Sequence, residues 1–165
     1  MFNFEAAQKT IAKQEAESAT SDDTVLVIDD EPHNLRIYES IIGSRYNVLT
    51  APSGEAGLEL AAKNDVACVI TDECMPGLQG SEVCSLLAQR HHRAARIILT
   101  GFAGLSNIVD VVNNGAIFRY LTKPIEADTL LEATGAAVGD FHRRQQNLML
   151  LAKAKELMEE HARLM

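Results

Sequence analysis

Tryptophan is absent from this chain of 165 residues, and aromatic residues make up only 5% of it. So thin an aromatic complement does not furnish a stacking platform for single-stranded nucleic acid. Positive charge is also in deficit. The 15 Lys and Arg stand against 23 Asp and Glu, a formal charge of −8, opposite to the basic footprint of a nucleic-acid-binding domain. No apolar stretch reaches the length of a membrane span, and the N-terminus lacks a basic-then-apolar signal pattern. Neither direct nucleic-acid contact nor membrane insertion is therefore expected. Three cysteines, an odd number with no C-x-x-C pair, point to reduced thiols and a cytoplasmic setting. What is present is ordinary: 47% apolar residues suit one globular domain with some extension, its core needing no disulfide or metal staple.

The charge is unevenly spread. Residues 1–23 carry two basic and five acidic groups, residues 24–141 eight and fifteen, and residues 142–165 five and three, so only the tail is net positive. Phe2, Phe4, Ala7 and Ile11 at near-helical spacing, then a polar run, predict a helix and linker over 1–23. Thr24–Ile28 is the first strand, followed by Pro32 opening a helix that closes at Gly43. Tyr46–Ala51 is the second strand, and Ser53-Gly54 opens the next helix. Val66–Asp72, a β-branched run ended by Pro76-Gly77, is a strand buried on both faces. A helix follows over 81–89, a fourth strand over 95–101, a helix over 105–114 and a fifth strand over 116–122. From Glu126 the pattern is helical almost to the end. Strands alternating with helices at this spacing predict a doubly wound α/β fold, a parallel sheet with helices on both faces.

Right-handed crossovers place every strand's carboxyl end on one edge. The residues just past the apolar runs are Asp29 and Asp30, Asp72, Thr100, and Lys123. Three carboxylates a few ångströms apart repel by about several kcal/mol at a protein-like dielectric, and Lys123 alone offsets one charge. Oxygen-only donors point to Mg²⁺ over Zn²⁺. A carboxylate beside a divalent ion, with Lys and Thr donors opposite, is equipped to attack a phosphoryl group.

Four segments, Asp29-Asp30-Glu31-Pro32, Thr71 to Gly77, Leu99-Thr100-Gly101 and Tyr120 to Pro124, resemble in order and content the receiver domain of two-component response regulators. The resemblance covers residues 24 to about 140. It implies a flavodoxin-like five-stranded sheet of order 2-1-3-4-5, with Asp72 as phosphoacceptor from a partner histidine kinase or phosphotransfer protein. It further implies Mg²⁺ bound by Asp29, Asp30, Asp72 and the Cys74 backbone carbonyl. Thr100 and Lys123 are implied to bind the phosphoryl group, and Tyr120 to change rotamer with Thr100. The surface formed by the fourth helix, fifth strand and last helix is then the switch. Such a protein is not an enzyme, beyond taking phosphoryl groups from donors and slowly losing them. Phe102 is expected to screen Asp72 from water, and Glu73 to be exposed and without a role. The alternative is a degenerate receiver, a phosphorylation-independent interaction or dimerisation module. A haloacid-dehalogenase phosphatase is disfavoured because its nucleophile comes on the first strand, and a flavin binder because Asp-Asp-Glu repels phosphate.

Beyond the receiver at 24–140, residues 141–165 extend the last helix. Leu150, Ala154, Leu157, His161 and Leu164 step by four and three, a short heptad-like seam. A helix from Glu126 to the end spans roughly 60 Å, too long to bury its far half on its own domain. A coiled-coil homodimer or signal transmission through this helix is expected.

Overall fold

A computed structural model describes residues 21–90, 92–101 and 105–165. Of the helix and linker expected over 1–23, residues 1–20 lie outside the described residues, as do His91 and Phe102. In chain order the elements are β1 (Thr24–Ile28), α1 (Pro32–Ile42), β2 (Asn47–Ala51), α2 (Gly54–Lys63) and β3 (Cys68–Asp72). There follow α3 (Gly80–Gln89), β4 (Ala95–Thr100), α4 (Leu105–Asn113), β5 (Arg119–Thr122) and α5 (Ala127–Leu164). All strand pairs are parallel, as the alternation of strands and helices predicts, and the order is β2-β1-β3-β4-β5, the one the receiver resemblance implies.

Alternation along the strands divides the core. Val25, Val27, Ile70, Ile97 and Leu99 face α1 and α5, meeting Ile42, Leu130, Ala133, Ala137 and Phe141. Leu26, Ile28 and Val69 face the other way, onto Leu58 and Ala61 of α2 and Val83 and Leu87 of α3. Ile98 packs with Cys84, Ile108 and Val111 beneath α4. Burying each large aliphatic side chain contributes about 1.5–3 kcal/mol, so strands β1, β3 and β4 anchor the fold and fix the edge at which they end. Local signals agree: the Ser53 hydroxyl accepts from Ala56 N at the start of α2, and Gln79 and Glu82 form a capping box on α3.

Strand β5 begins three residues later than its apolar pattern predicts. Gly115 N and Ala116 N donate back to Val112 O and Val111 O, so this backbone closes α4 instead of joining the sheet. Gly115 has φ +68, the left-handed conformation that ends helices.

Helix α5 runs for 38 residues without a break, about 57 Å. Phe141 is its last buried side chain, and from residue 142 onward every side chain but Gln145 is exposed. Where the helix leaves the body, His142 Nε2 lies 3.0 Å from both carboxylate oxygens of Asp23. Burial pushes the Asp23 carboxyl up, but the hydrogen bonds from His142 and Ser21 outweigh it and hold it below its ordinary 3.8. A depressed folded value means that Asp23 contributes stability above the unfolded value and loses it as pH falls through the folded one. Asp23→Asn should therefore cost about 0.2–1 kcal/mol at neutral pH, in the range of a partly exposed pair. Urea titrations should show this difference vanishing below about pH 4.

Candidate functional site at the carboxyl edge of the sheet

The carboxyl ends of β1 and β3 are neighbours because these strands pair, Ile28 lying beside Thr71. Asp29 continues the ladder, its N–H donating to Ala51 O at 3.1 Å. Its carboxylate turns into the loop, accepting from Glu31 N at 2.9 Å and from Asn34 Nδ2 at 3.2 Å. Asn34 thus orients Asp29 from the first turn of α1, a role not apparent from its polar neighbours in sequence. Asp29, Asp30 and Asp72 each offer a carboxylate oxygen within 4.8 Å of the others. Lys123 is carried past β5 by its N–H to Thr100 O, and its Nζ lies 2.6 Å from Asp72 Oδ1.

The electrostatics follow from this crowding. Burial pushes the Asp72 carboxyl above its ordinary value despite the Lys123 contact, with Asp29 and Asp30 adding to the push. Burial pulls the Lys123 ammonium down, but its hydrogen bond and proximity to Asp72 outweigh that and leave it raised. Two partners both shifted upward mean that one ammonium does not neutralise three carboxylates. Tyr38 of α1 also feels this field. Burial raises its phenol, Lys123 opposes, and Asp29 and Asp72 add to the rise.

The structure brings Asp29, Asp30, Asp72 and Lys123 together. Thr100 is buried at the end of β4, but its hydroxyl donates to the Gly101 carbonyl at 3.0 Å and to none of these four. Tyr120 is 46% exposed, its ring outside the core. Cys74 is exposed in the turn after β3.

Glu73 departs from expectation. It is 0% exposed. Its N–H donates to Leu99 O, extending the β3–β4 ladder, and its carbonyl accepts from Gly80 N. Its carboxylate accepts from Ser81 N and Ser81 Oγ, both at 2.7 Å, at the start of α3, where the helix end favours an anion. Glu73 therefore staples the loop holding Cys74 to β3 on one side and α3 on the other. Gly80 belongs to the same device, since a Cβ there would run into the Asp72 carbonyl. Ser81→Ala leaves a buried carboxylate short of a donor and should cost about 1–3 kcal/mol in a urea titration.

Fold and site together define a doubly wound α/β protein with an acidic, lysine-bridged pocket at its strand ends. Residues 25–135 match the response regulator receiver domain, and the chain belongs to that family. It is 31% identical over 126 residues to the hydrogenase transcriptional regulatory protein HoxA of Cupriavidus necator, a match spanning 73% of this chain and 26% of that regulator. It resembles the crystal structure of a response regulator receiver domain protein from Clostridium thermocellum, with 32% identity and a TM-score of 0.66 over 76% of this chain and 98% of that one. It also resembles that of an adenylate cyclase from Rhodopirellula baltica, with 26% identity and a TM-score of 0.75 over 81% and 99% of the two chains. Among the described residues no helix is long and apolar enough to cross a membrane.

Proposed function

We propose that this receiver accepts a phosphoryl group on Asp72 from a phosphohistidine of a partner histidine kinase or phosphotransfer protein. The carrying observation is the buried Asp72 carboxylate, 2.6 Å from Lys123 Nζ and beside the Asp29–Asp30 pair. An Asp72 oxygen attacks phosphorus, the P–N bond breaks, and the imidazole leaves with the electron pair and takes up a proton. An aspartyl phosphate, an acyl anhydride, is the product.

The donor set fits Mg²⁺: carboxylate oxygens of Asp29, Asp30 and Asp72, clustered and only partly neutralised by Lys123. With the Cys74 carbonyl these residues would hold the ion, which when bound offsets charge on the phosphoryl oxygens. Asn34 orients Asp29, and the Glu73–Ser81 staple positions the Cys74 loop. Lys123 pairs with the new oxygens once Asp72 is phosphorylated. The added charge of about −1.5 to −2 draws the Thr100 hydroxyl away from Gly101, and Tyr120 turns inward. The surface of α4, β5 and α5 changes accordingly. The receiver itself is a switch, not a catalyst with turnover, and acts in the cytoplasm through protein contacts without touching nucleic acid directly.

Homodimerisation through α5 completes the proposal. Eight large apolar side chains beyond residue 147 are at least half exposed, among them Leu150, Leu151, Leu157 and Met158, a load that a lone helix does not keep in water. Sedimentation of the full chain and of one ending at His142, which spares the buried Phe141, should give a dimer and a monomer. Two identical monomers would remove the dimer. Incubation with Mg²⁺ and a small phosphodonor, followed by intact-mass measurement, tests the phosphoacceptor. No mass gain in the unchanged chain would favour the degenerate receiver.

A further inference from the structure

Where the projecting half of α5 leaves the body, a groove of about 420 Å³ opens at the amino end of β4, the opposite edge of the sheet from the acidic pocket. Phe141, Arg144, Leu148 and Leu151 line one side, spaced by three, four and three residues and so on one face of the helix. Ala88 of α3, Arg93 beyond it and Arg96 of β4 line the other. The dimer seam proposed above, Leu150, Ala154 and Leu157, is centred on a different face, so pairing there leaves Phe141, Arg144 and Leu148 uncovered.

Arg96 sets the chemistry of this groove. It interrupts an otherwise apolar strand and is 9% exposed. Nε donates to Ala116 O, where α4 closes, and Nη1 to His92 O and Ala94 O. Those carbonyls carry no charge and offset the desolvation of a cation only in part. Among the described residues Nη2 has no acceptor and no carboxylate pairs with this guanidinium. Burial above all, with Arg144 nearby, holds Arg96 below the ordinary arginine value. Arg144 itself is matched, its Nε lying 2.8 Å from Asp140 Oδ2. Arg93 is exposed, where water and salt screen it. The groove thus sets one unmatched, largely buried cation beside an apolar wall.

We propose that this groove binds a small organic monoanion, an aromatic or branched apolar body carrying one carboxylate. The volume suits one small molecule. The body would lie against Phe141, Leu148 and Leu151, and the carboxylate would accept from Arg96 Nη2, with Arg93 at the rim. A monoanion answers the one unmatched cation, whereas a second negative charge would have only the screened Arg93 to meet. Because Arg96 also holds Ala116 O, the occupant would bear at once on the end of α4 and on the neck of α5. The site needs neither phosphoryl acceptance at Asp72 nor the dimer, and stands or falls apart from both.

Titration calorimetry on the full chain tests this with 2-naphthoate and its uncharged counterpart 2-naphthamide. The carboxylate should bind saturably below about 1 mM. The amide should bind at least about tenfold more weakly, the loss expected for one charge-assisted hydrogen bond. Leu148 is half exposed, so Leu148→Glu spares the core. By placing a like charge in the wall it should weaken naphthoate binding by at least about tenfold. Arg96→Met, its fold checked by the far-ultraviolet spectrum, should bring naphthoate down to the affinity of naphthamide. Should that variant not fold, Leu148→Glu and the paired probes still decide. Equal affinities for the two probes, full naphthoate affinity in Leu148→Glu, or no naphthoate binding up to about 10 mM would each overturn the site.

Discussion

Asp72→Asn should gain no phosphoryl mass from a small acyl phosphate in Mg²⁺, where the unchanged chain gains one group. The amide keeps the shape and burial of the carboxylate but lacks the anionic oxygen that must attack phosphorus, so the expected loss exceeds about a hundredfold. Lys123→Ala separates position from charge. It leaves Asp72 in place but removes the ammonium 2.6 Å away, so phosphorylation should slow, about 10²–10³-fold on the scale of a lost charge-stabilising donor. Fold integrity is checked by the far-ultraviolet spectrum and thermal midpoint of each variant. Equal phosphorylation of Asp72→Asn and wild type would move the acceptor to another carboxylate.

A second large effect concerns stability. The folded pKa of Asp72 is raised. Its carboxyl therefore supports the fold fully only below the unfolded value near 3.8, and that contribution is lost as pH rises through the raised one. At neutral pH the ionised cluster opposes folding, and a divalent cation that binds only the folded pocket offsets this. At a hundred times its dissociation constant such an ion stabilises by about 2.7 kcal/mol, which for a chain of this size raises the melting temperature by roughly 5–10 °C. The rise should be absent with sodium at matched ionic strength, absent in Asp30→Asn, and lost as pH falls through the raised Asp72 value, where that carboxyl takes up its proton. A shift of the same size in Asp30→Asn would place the ion elsewhere.

Much of this pocket could be read from the chain because parallel topology does the assembling. Asp29, Asp30, Asp72 and Lys123 each lie within two residues of the end of an apolar run, and strands that all point one way deliver their ends to one edge. What escaped was decided by contacts between distant residues. Glu73 looks like a solvated turn residue until Ser81, eight positions on, supplies both its donors. Arg96 interrupts the apolar run of β4, and only the fold shows three carbonyl groups around its guanidinium. Ala116 opens a strand-like run, yet its N–H bonds back to Val111 O in closing α4, and the chain first bonds to β4 at Phe118, whose N–H donates to Arg96 O. The long helix was visible in its heptad spacing.

Helix α5 is one unbroken rod, with Leu130 to Phe141 clamped in the core and the rest projecting from the body, which is the geometry of a lever whose fulcrum is the receiver itself. From Phe141 to Met165 the arm is about 36 Å, so a tilt of about 5° at the clamp sweeps the tip through about 3 Å. Sub-ångström repacking around the buried half would thereby be geared up into a displacement large enough to change which side chains meet at the other end.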